Sequence, residues 1–307
     1  MIDYHVHPDF SPDAQGTVED FCAQAERIGL DGLCFTTHYE PDPVRADRER
    51  VVVAGQPRPV DSDWPKVYLA AVNKARLRFP SLVVQAGVEI GYEPGLEGVI
   101  CDFLTRYQFD FVLGAVHCLD HVAITASDEL DYCQRELVPL GGEAVARRYC
   151  RHLAAAANSQ LFDCLAHVDI YRKYLQPLLG EPFVHAINDG MSEVLKQVAR
   201  SGTGIEVNSS ALRRGSDEPY PAKRLLVYAV EYGVRFFTIG SDAHRPDDLG
   251  TGLTAAQDLL RGLGVKPVCF NLRQPVAPEP DVPTQDGSLV LHRADLTEQG
   301  DDDNITD

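Results

Sequence analysis

Seven short apolar runs, rich in β-branched and aromatic residues, recur along the chain with amphipathic stretches between them. The runs cover residues 2–6, 32–36, 82–89, 109–116, 162–166, 204–207 and 235–239. Runs of this kind, bounded by turn residues, suit strands buried on both faces of a parallel sheet. The intervening stretches, including 64–79, 96–107, 142–157, 191–200, 222–232 and 254–263, carry a helical period. Thr17-Val-Glu-Asp20 forms a capping-box pattern that opens a further helix, and Ile28-Gly29 closes it. Seven strand–helix alternations predict an α/β barrel or a doubly wound sheet. Residues 40–63, with Pro41, Pro43, Pro57 and Pro59 among charges, read as an excursion near the second strand's end.

Potential metal ligands fall at the C-terminal ends of these runs. His5-Val6-His7 ends the first, and side chains two apart share one face of a strand. His38, Glu89, His117 and His167 end or follow the next four, and Ser241-Asp242-Ala243-His244 follows the last. Asp13 stands in the first loop, six residues after His7. In barrels, residues at strand C-termini line the active-site face. Any single one reads as a capped or surface polar group; their recurrence at matching positions points to one site. Nine nitrogen and oxygen donors exceed the needs of one ion, so two or three divalent ions are expected. With no cysteine among the donors, zinc, iron or manganese fits.

The rest of the composition narrows the class. With 307 residues, 44% hydrophobic and 24% charged, the profile is that of a globular protein with one large or two small domains. No apolar run reaches membrane-spanning length, and MIDYHVHPDF has no signal-peptide pattern, so a cytoplasmic protein is expected. A formal net charge of −18 with no basic patch speaks against nucleic-acid binding. The eight cysteines contain no C-x-x-C pair and predict free, mostly buried thiols. Residues 271–307 carry Pro275, Pro278, Pro280 and Pro283 and five aspartates between 295 and 307. They predict an acidic, disordered tail beyond a barrel domain of residues 1–270, and removal of residues 278–307 is expected to leave catalysis nearly unchanged.

The ordered donors His5, His7, Asp13, His38, Glu89, His117, His167, Asp242 and His244 resemble the nine-ligand pattern of the polymerase and histidinol phosphatase (PHP) superfamily. The chain is most similar to its histidinol-phosphatase family. Gly87-Val-Glu-Ile-Gly-Tyr-Glu-Pro-Gly-Leu-Glu97, Phe109-Asp-Phe-Val-Leu-Gly-Ala-Val-His117, His167-Val-Asp-Ile-Tyr-Arg-Lys-Tyr174 and Glu206-Val-Asn-Ser-Ser-Ala-Leu-Arg213 carry the resemblance, with Glu218-Pro-Tyr-Pro221. It spans about residues 1–265. Asp13 stands where these phosphatases often have His, and Ser11-Pro12 replaces a frequent Cys-Pro; neither change removes a donor.

The resemblance implies a distorted (β/α)7 TIM-like barrel with a trinuclear centre at the C-terminal face of the strands. It assigns His5, His7, Glu89 and Asp242 to one ion, Glu89, His117 and His167 to a second, and Asp13, His38 and His244 to a third. The implied reaction is hydrolysis of a small phosphomonoester, L-histidinol phosphate in histidine biosynthesis, by a hydroxide bridging the ions. His244, Asp13 and His38 are the candidates for proton transfer. Arg172, five residues after His167, and Arg213, after Asn208-Ser-Ser, are the candidates for gripping phosphate bidentately, with Lys173 behind them. Other readings are a phosphatase for another small ester and a non-catalytic metal-binding PHP module. Amidohydrolases share the H-x-H logic but usually add a strand-end lysine, which is missing here. His121, His152, His185 and His292 have no place in the pattern and read as surface or structural.

Overall fold

The computed structural model describes residues 1–276, and within them the apolar runs become one parallel sheet. Its strands are β1 (Ile2–Val6), β2 (Gly32–Phe35), β3 (Val83–Gly91), β4 (Phe111–Ala115), β5 (Cys164–Leu165), β6 (Gly204–Asn208) and β7 (Phe237–Gly240). They pair side by side in chain order. A two-residue strand, His38–Tyr39, continues beyond β2 and sets His38 opposite Glu89 of β3. The last strand returns to the first: Val6 bridges Ala243, the His7 amide donates to Ala243 O at 2.8 Å, and the Asp242 amide donates to His5 O at 2.8 Å. The result is a nearly closed seven-stranded barrel, the distorted TIM-like architecture anticipated above.

The main helices around it among the described residues are α1 (Val18–Ile28), α2 (Trp64–Arg78), α3 (Glu97–Arg106), α4 (Gly142–Ser159), α5 (Leu175–Ser201), α6 (Lys223–Glu231) and α7 (Leu253–Gly262). The capping box holds α1 as expected, with the Asp20 amide on Thr17 Oγ1 at 3.2 Å and the Thr17 amide on Asp20 Oδ2 at 2.8 Å. Gly29, left-handed at φ 73°, ends it. Helix α5 is much longer than the expected 191–200. Gly180, Pro182 and Gly190 disguise it in sequence, and the backbone kinks at Gly180 while the buried Leu175 before it and Phe183, Ile187 and Met191 after it keep the two halves on the core. A helix at Leu130–Leu137 was not anticipated. The 40–63 excursion folds into a turn, Pro43–Arg45, and a hairpin of Arg50–Val53 with Gln56–Pro59.

Aromatic packing fills the barrel at the strand N-termini. Tyr4 packs on Phe111 with ring centroids 5.1 Å apart, and Phe270 lies 5.1 Å from Phe111. Phe270 belongs to a hairpin, Cys269–Asn271 with Gln274–Val276, anchored where Arg273 reaches Asp163 Oδ1 at 3.1 Å and Leu161 O at 2.7 Å. The organised chain thus continues past the boundary expected at residue 270. The remainder of the expected tail, 277–307, lies outside the described residues, as does His292. All eight cysteines are free thiols.

A register irregularity between Asp3 and Val6 fits one strand to two tasks. Neighbouring residues of a regular strand point to opposite faces, and a local irregularity resets that phase. Here Tyr4 joins the aromatic floor, while the next residue, His5, points into the polar cluster at the barrel's other end.

Candidate metal centre

Glu89, at the C-terminal part of β3, is 1% exposed and stands at the hub of this cluster. Its Oε1 lies 3.0 Å from His167 Nε2 and 3.3 Å from His117 Nε2. Its Oε2 lies 2.9 Å from His38 Nδ1, 3.4 Å from His5 Nε2 and 3.5 Å from His7 Nε2. Asp242 Oδ1 lies 3.6 Å from His5 Nε2 and 3.5 Å from both His7 Nε2 and His244 Nδ1. Asp13 reaches in from the first loop, its Oδ2 3.2 Å from His244 Nε2 and its Oδ1 3.8 Å from His38 Nε2. All nine residues expected to carry ligands therefore meet in one place.

Their geometry suits cations. His5 Nε2 and His7 Nε2 face each other at 2.9 Å. The other nitrogen of each ring is already engaged, His5 Nδ1 with Glu206 Oε1 at 2.6 Å and His7 Nδ1 with Ser11 Oγ at 3.3 Å. Two neutral imidazoles arranged this way would aim lone pairs at one another, which a shared cation relieves. Glu89 Oε2 and His38 Nδ1 are sealed from solvent and, among the described residues, neither makes a well-directed hydrogen bond. Groups of three ligand atoms within 4.8 Å of one another recur: His5, His7 and Asp242; His5, Glu89 and His167; His7, His38 and His244; and His38, Glu40 and His117. The donor set of imidazole and carboxylate fits zinc, manganese or iron.

The electrostatics agree. Burial disfavours the charged Glu89 carboxylate, but His5, His117 and His167 overcome it and hold its carboxyl well below the usual range. Asp242 is lowered in the same way, with His5, His7 and His244 outweighing burial. Burial also disfavours a charged His38, yet Asp13 and Glu89 push it up to about 9. The carboxylates are thus poised to stay ionised beside positive charge. Two candidate ligand positions, His167 at φ 24° and Asp242 at φ 55°, hold left-handed backbone, a strain of roughly 1–3 kcal/mol each that clusters at functional sites.

The residues that orient the ligands were not anticipated. Glu40 Oε1 lies 2.6 Å from Nδ1 of His117, turning that ring's Nε2 toward Glu89. Glu206 does the same for His5 and also accepts the His167 amide at 3.0 Å. Carboxylates on the outer nitrogen of a ligating imidazole fix its tautomer and raise its basicity. Glycines make room for both: a Cβ on Gly240 would collide with His5 and Glu206, and one on Gly91 with Glu40. Sequence signals for both existed. Glu40 stands two residues after His38, the H-x-H spacing again, and Glu206 is a carboxylate inside an otherwise apolar strand.

Two expected roles need correction. Arg172 and Arg213 do not line the cavity over the cluster. Arg172 donates to Asp169 Oδ2 at 3.1 Å, Pro219 O at 2.7 Å and Ser216 Oγ at 3.2 Å. Arg213 donates to Ser241 O at 2.9 Å and Asp242 O at 3.0 Å, bracing the loop that carries Asp242. Each guanidinium is committed to its own loops. Their sequence neighbours Lys173 and Arg214 line the cavity instead, which has a volume of about 560 Å³. Of the histidines outside the pattern, His152 is buried and His185 exposed. His121 staples loops, its Nδ1 2.6 Å from Asp42 Oδ2 and 3.0 Å from Glu93 Oε2.

Barrel, hub carboxylate and ring of imidazoles define a metal-dependent hydrolase scaffold, and the chain belongs to the PHP domain family, whose profile matches residues 3–210. Among curated relatives it is similar to a protein of Deinococcus radiodurans named "Probable histidinol-phosphatase", 30% identical over 285 residues that cover 89% of this chain and 98% of that one. A Clostridium acetobutylicum protein of the same name is 27% identical over 276 residues, covering 89% and 98%. Among solved structures, the histidinol phosphate phosphatase of Lactococcus lactis, crystallised with zinc, L-histidinol and phosphate, shares the fold with a TM-score of 0.71 at 19% identity, covering 90% of this chain and 98% of that one.

Proposed function

We propose that this protein is a metal-dependent phosphatase that hydrolyses L-histidinol phosphate to L-histidinol and inorganic phosphate in the cytoplasm. The observation that carries this reading is the convergence of six imidazoles and two further carboxylates around Glu89 at the C-terminal mouth of the barrel. The relatives' names supply the substrate. The full donor set weighs against a non-catalytic module. Among the described residues no helix is long and apolar enough to cross a membrane.

The nine donors His5, His7, Asp13, His38, Glu89, His117, His167, Asp242 and His244 would hold two or three divalent ions. Such ions lower the pKa of water and neutralise charge developing on phosphoryl oxygens. The protein's own groups do the rest. Lys173 and Arg214 on the cavity wall offset the repulsion that a chain of net charge −18 exerts on an anionic ester. As water's oxygen bonds to phosphorus and the ester bond to the alcohol breaks, the leaving oxygen needs a proton. The pair Asp13–His244, 3.2 Å apart at the cavity, is placed to take the proton that the attacking water gives up and pass it to that oxygen. His38 turns its Nδ1 onto Glu89 Oε2, 2.9 Å away, and is left out of this relay.

The test is phosphate release by protein loaded with zinc or manganese, offered L-histidinol phosphate, sugar phosphates, nucleotides and p-nitrophenyl phosphate. L-histidinol phosphate should be preferred. Preference for another monoester would move the substrate assignment, and no release from any of them would overturn the catalytic reading.

A further inference from the structure

The cavity wall is rich in carboxylates, and almost all are already in use. Glu89 and Asp242 belong to the cluster, and Asp13 is held by His244. Glu40 is bound to His117. Glu49 is bound to Arg45 at 2.7 Å. Glu129 takes Arg45 on one oxygen at 2.6 Å and Arg48 on the other at 2.8 Å. Asp128 is different: it lines the same cavity, is exposed, and its carboxylate has no hydrogen bond or ion pair among the described residues.

The turn that carries it, Ser127–Glu129, is fixed on both sides. Glu129 is clamped to the 40–63 excursion through the two arginines. On the other side, Lys173 Nζ donates to Thr125 O at 3.0 Å. Thr125 and Asp128 are three residues apart, so the chain separates them by at most about 10 Å. A cation suited to phosphate and an uncompensated carboxylate therefore line one cavity from neighbouring parts of its wall.

We propose that Asp128 is a specificity-determining residue that binds the cationic nitrogen of the substrate's alcohol portion, so that the cavity selects phosphate monoesters of amino alcohols over those of neutral alcohols. This rests on the phosphatase reading above and extends it to substrate class. L-histidinol phosphate fits, since its ammonium stands two carbons from the ester oxygen. Binding of this kind acts alike on ground and transition states, so its loss appears mainly in KM.

The experiment compares metal-loaded wild type with Asp128→Asn and Asp128→Glu on two substrate pairs: L-histidinol phosphate against p-nitrophenyl phosphate, and phosphoethanolamine against glycerol phosphate. In Asp128→Asn the kcat/KM ratio favouring the amino-alcohol ester should fall about 10- to 100-fold, chiefly through KM, as suits one lost charge-assisted hydrogen bond. Asp128→Glu should recover part of it. An unchanged ratio overturns the proposal, whether both rates fall together, marking a merely structural turn, or neither does, marking a solvated carboxylate. If wild type itself shows no preference for L-histidinol phosphate, the substrate reading fails separately, and the second pair still decides the role of Asp128.

Discussion

Glu206 Oε1 stands 2.6 Å from Nδ1 of His5, and that contact sets which way the His5 ring presents its other nitrogen. Both side chains are buried, with Asn208 also donating to Glu206 Oε2 at 3.1 Å. A carboxylate so placed would act on an ion held by His5 without itself joining the ligands. Glu206→Gln should weaken apparent metal affinity about 10- to 100-fold, the usual cost of losing such a partner. Competition against a chelator measures it, and unchanged affinity would show that His5 needs no orienting group.

Metal content tests the cluster itself. Protein purified without chelator should carry two or three ions per chain by elemental analysis. Stripping them should abolish phosphate release and lower Tm, because ions that bind the folded state alone stabilise it. One ion or none under metal-replete conditions would defeat the assignment.

Two pairs of neighbouring cations differ in where they point: Lys173 and Arg214 line the cavity, while Arg172 and Arg213 are bonded to loops beside it. Lys173→Ala and Arg214→Ala should each lower kcat/KM for a phosphomonoester by about 10- to 150-fold, matching roughly 1.5–3 kcal/mol for a lost charge-assisted hydrogen bond, with metal content unchanged. Arg172→Ala and Arg213→Ala should act first on stability and loop order, since neither lines the cavity and both bind backbone carbonyls. Steady-state kinetics beside thermal unfolding separates the two. Wild-type kinetics in both Lys173→Ala and Arg214→Ala would place the phosphate clamp elsewhere.

His152 gives the fold a pH dependence of its own. Burial, aided by Arg151 and Arg148, pushes its pKa down from 6.5 to about 4, so the folded state favours the neutral ring. Stability from this group is therefore complete above about 6.5 and is lost as pH falls toward 4, at up to about 1.4 kcal/mol per unit. His152→Gln should flatten that part of the profile relative to wild type. Parallel profiles for the two proteins would show that the ring is not held neutral.

Much of this was legible in the sequence because strand period and ligand position coincide. The donors His5, His7, Glu89 and His117 could be placed because each ends a run that can only be a buried strand. What escaped depends on contacts between distant segments. Glu40 and Glu206 matter through the imidazoles they face across the barrel, 77 and 201 residues away in sequence. Arg172 and Lys173 are adjacent, so no spacing rule could say which one turns toward the cavity and which toward Asp169. The length of α5 was hidden by Gly180 and Pro182, which lower local helix propensity while core packing restores the helix.

The seam between β1 and β7 joins strands at opposite ends of the barrel sequence by one bridge and two amide hydrogen bonds, and the candidate ligands straddle it: His5 and His7 on one side, Asp242 and His244 on the other. Ions held by these residues would act as a clasp between the start and the finish of the barrel. Loading them should slow amide hydrogen exchange along both seam strands far more than in β4, which is flanked by paired neighbours. The same clasp makes the barrel's integrity and its chemistry one property, so a chain that loses its ions first loosens where its ends meet.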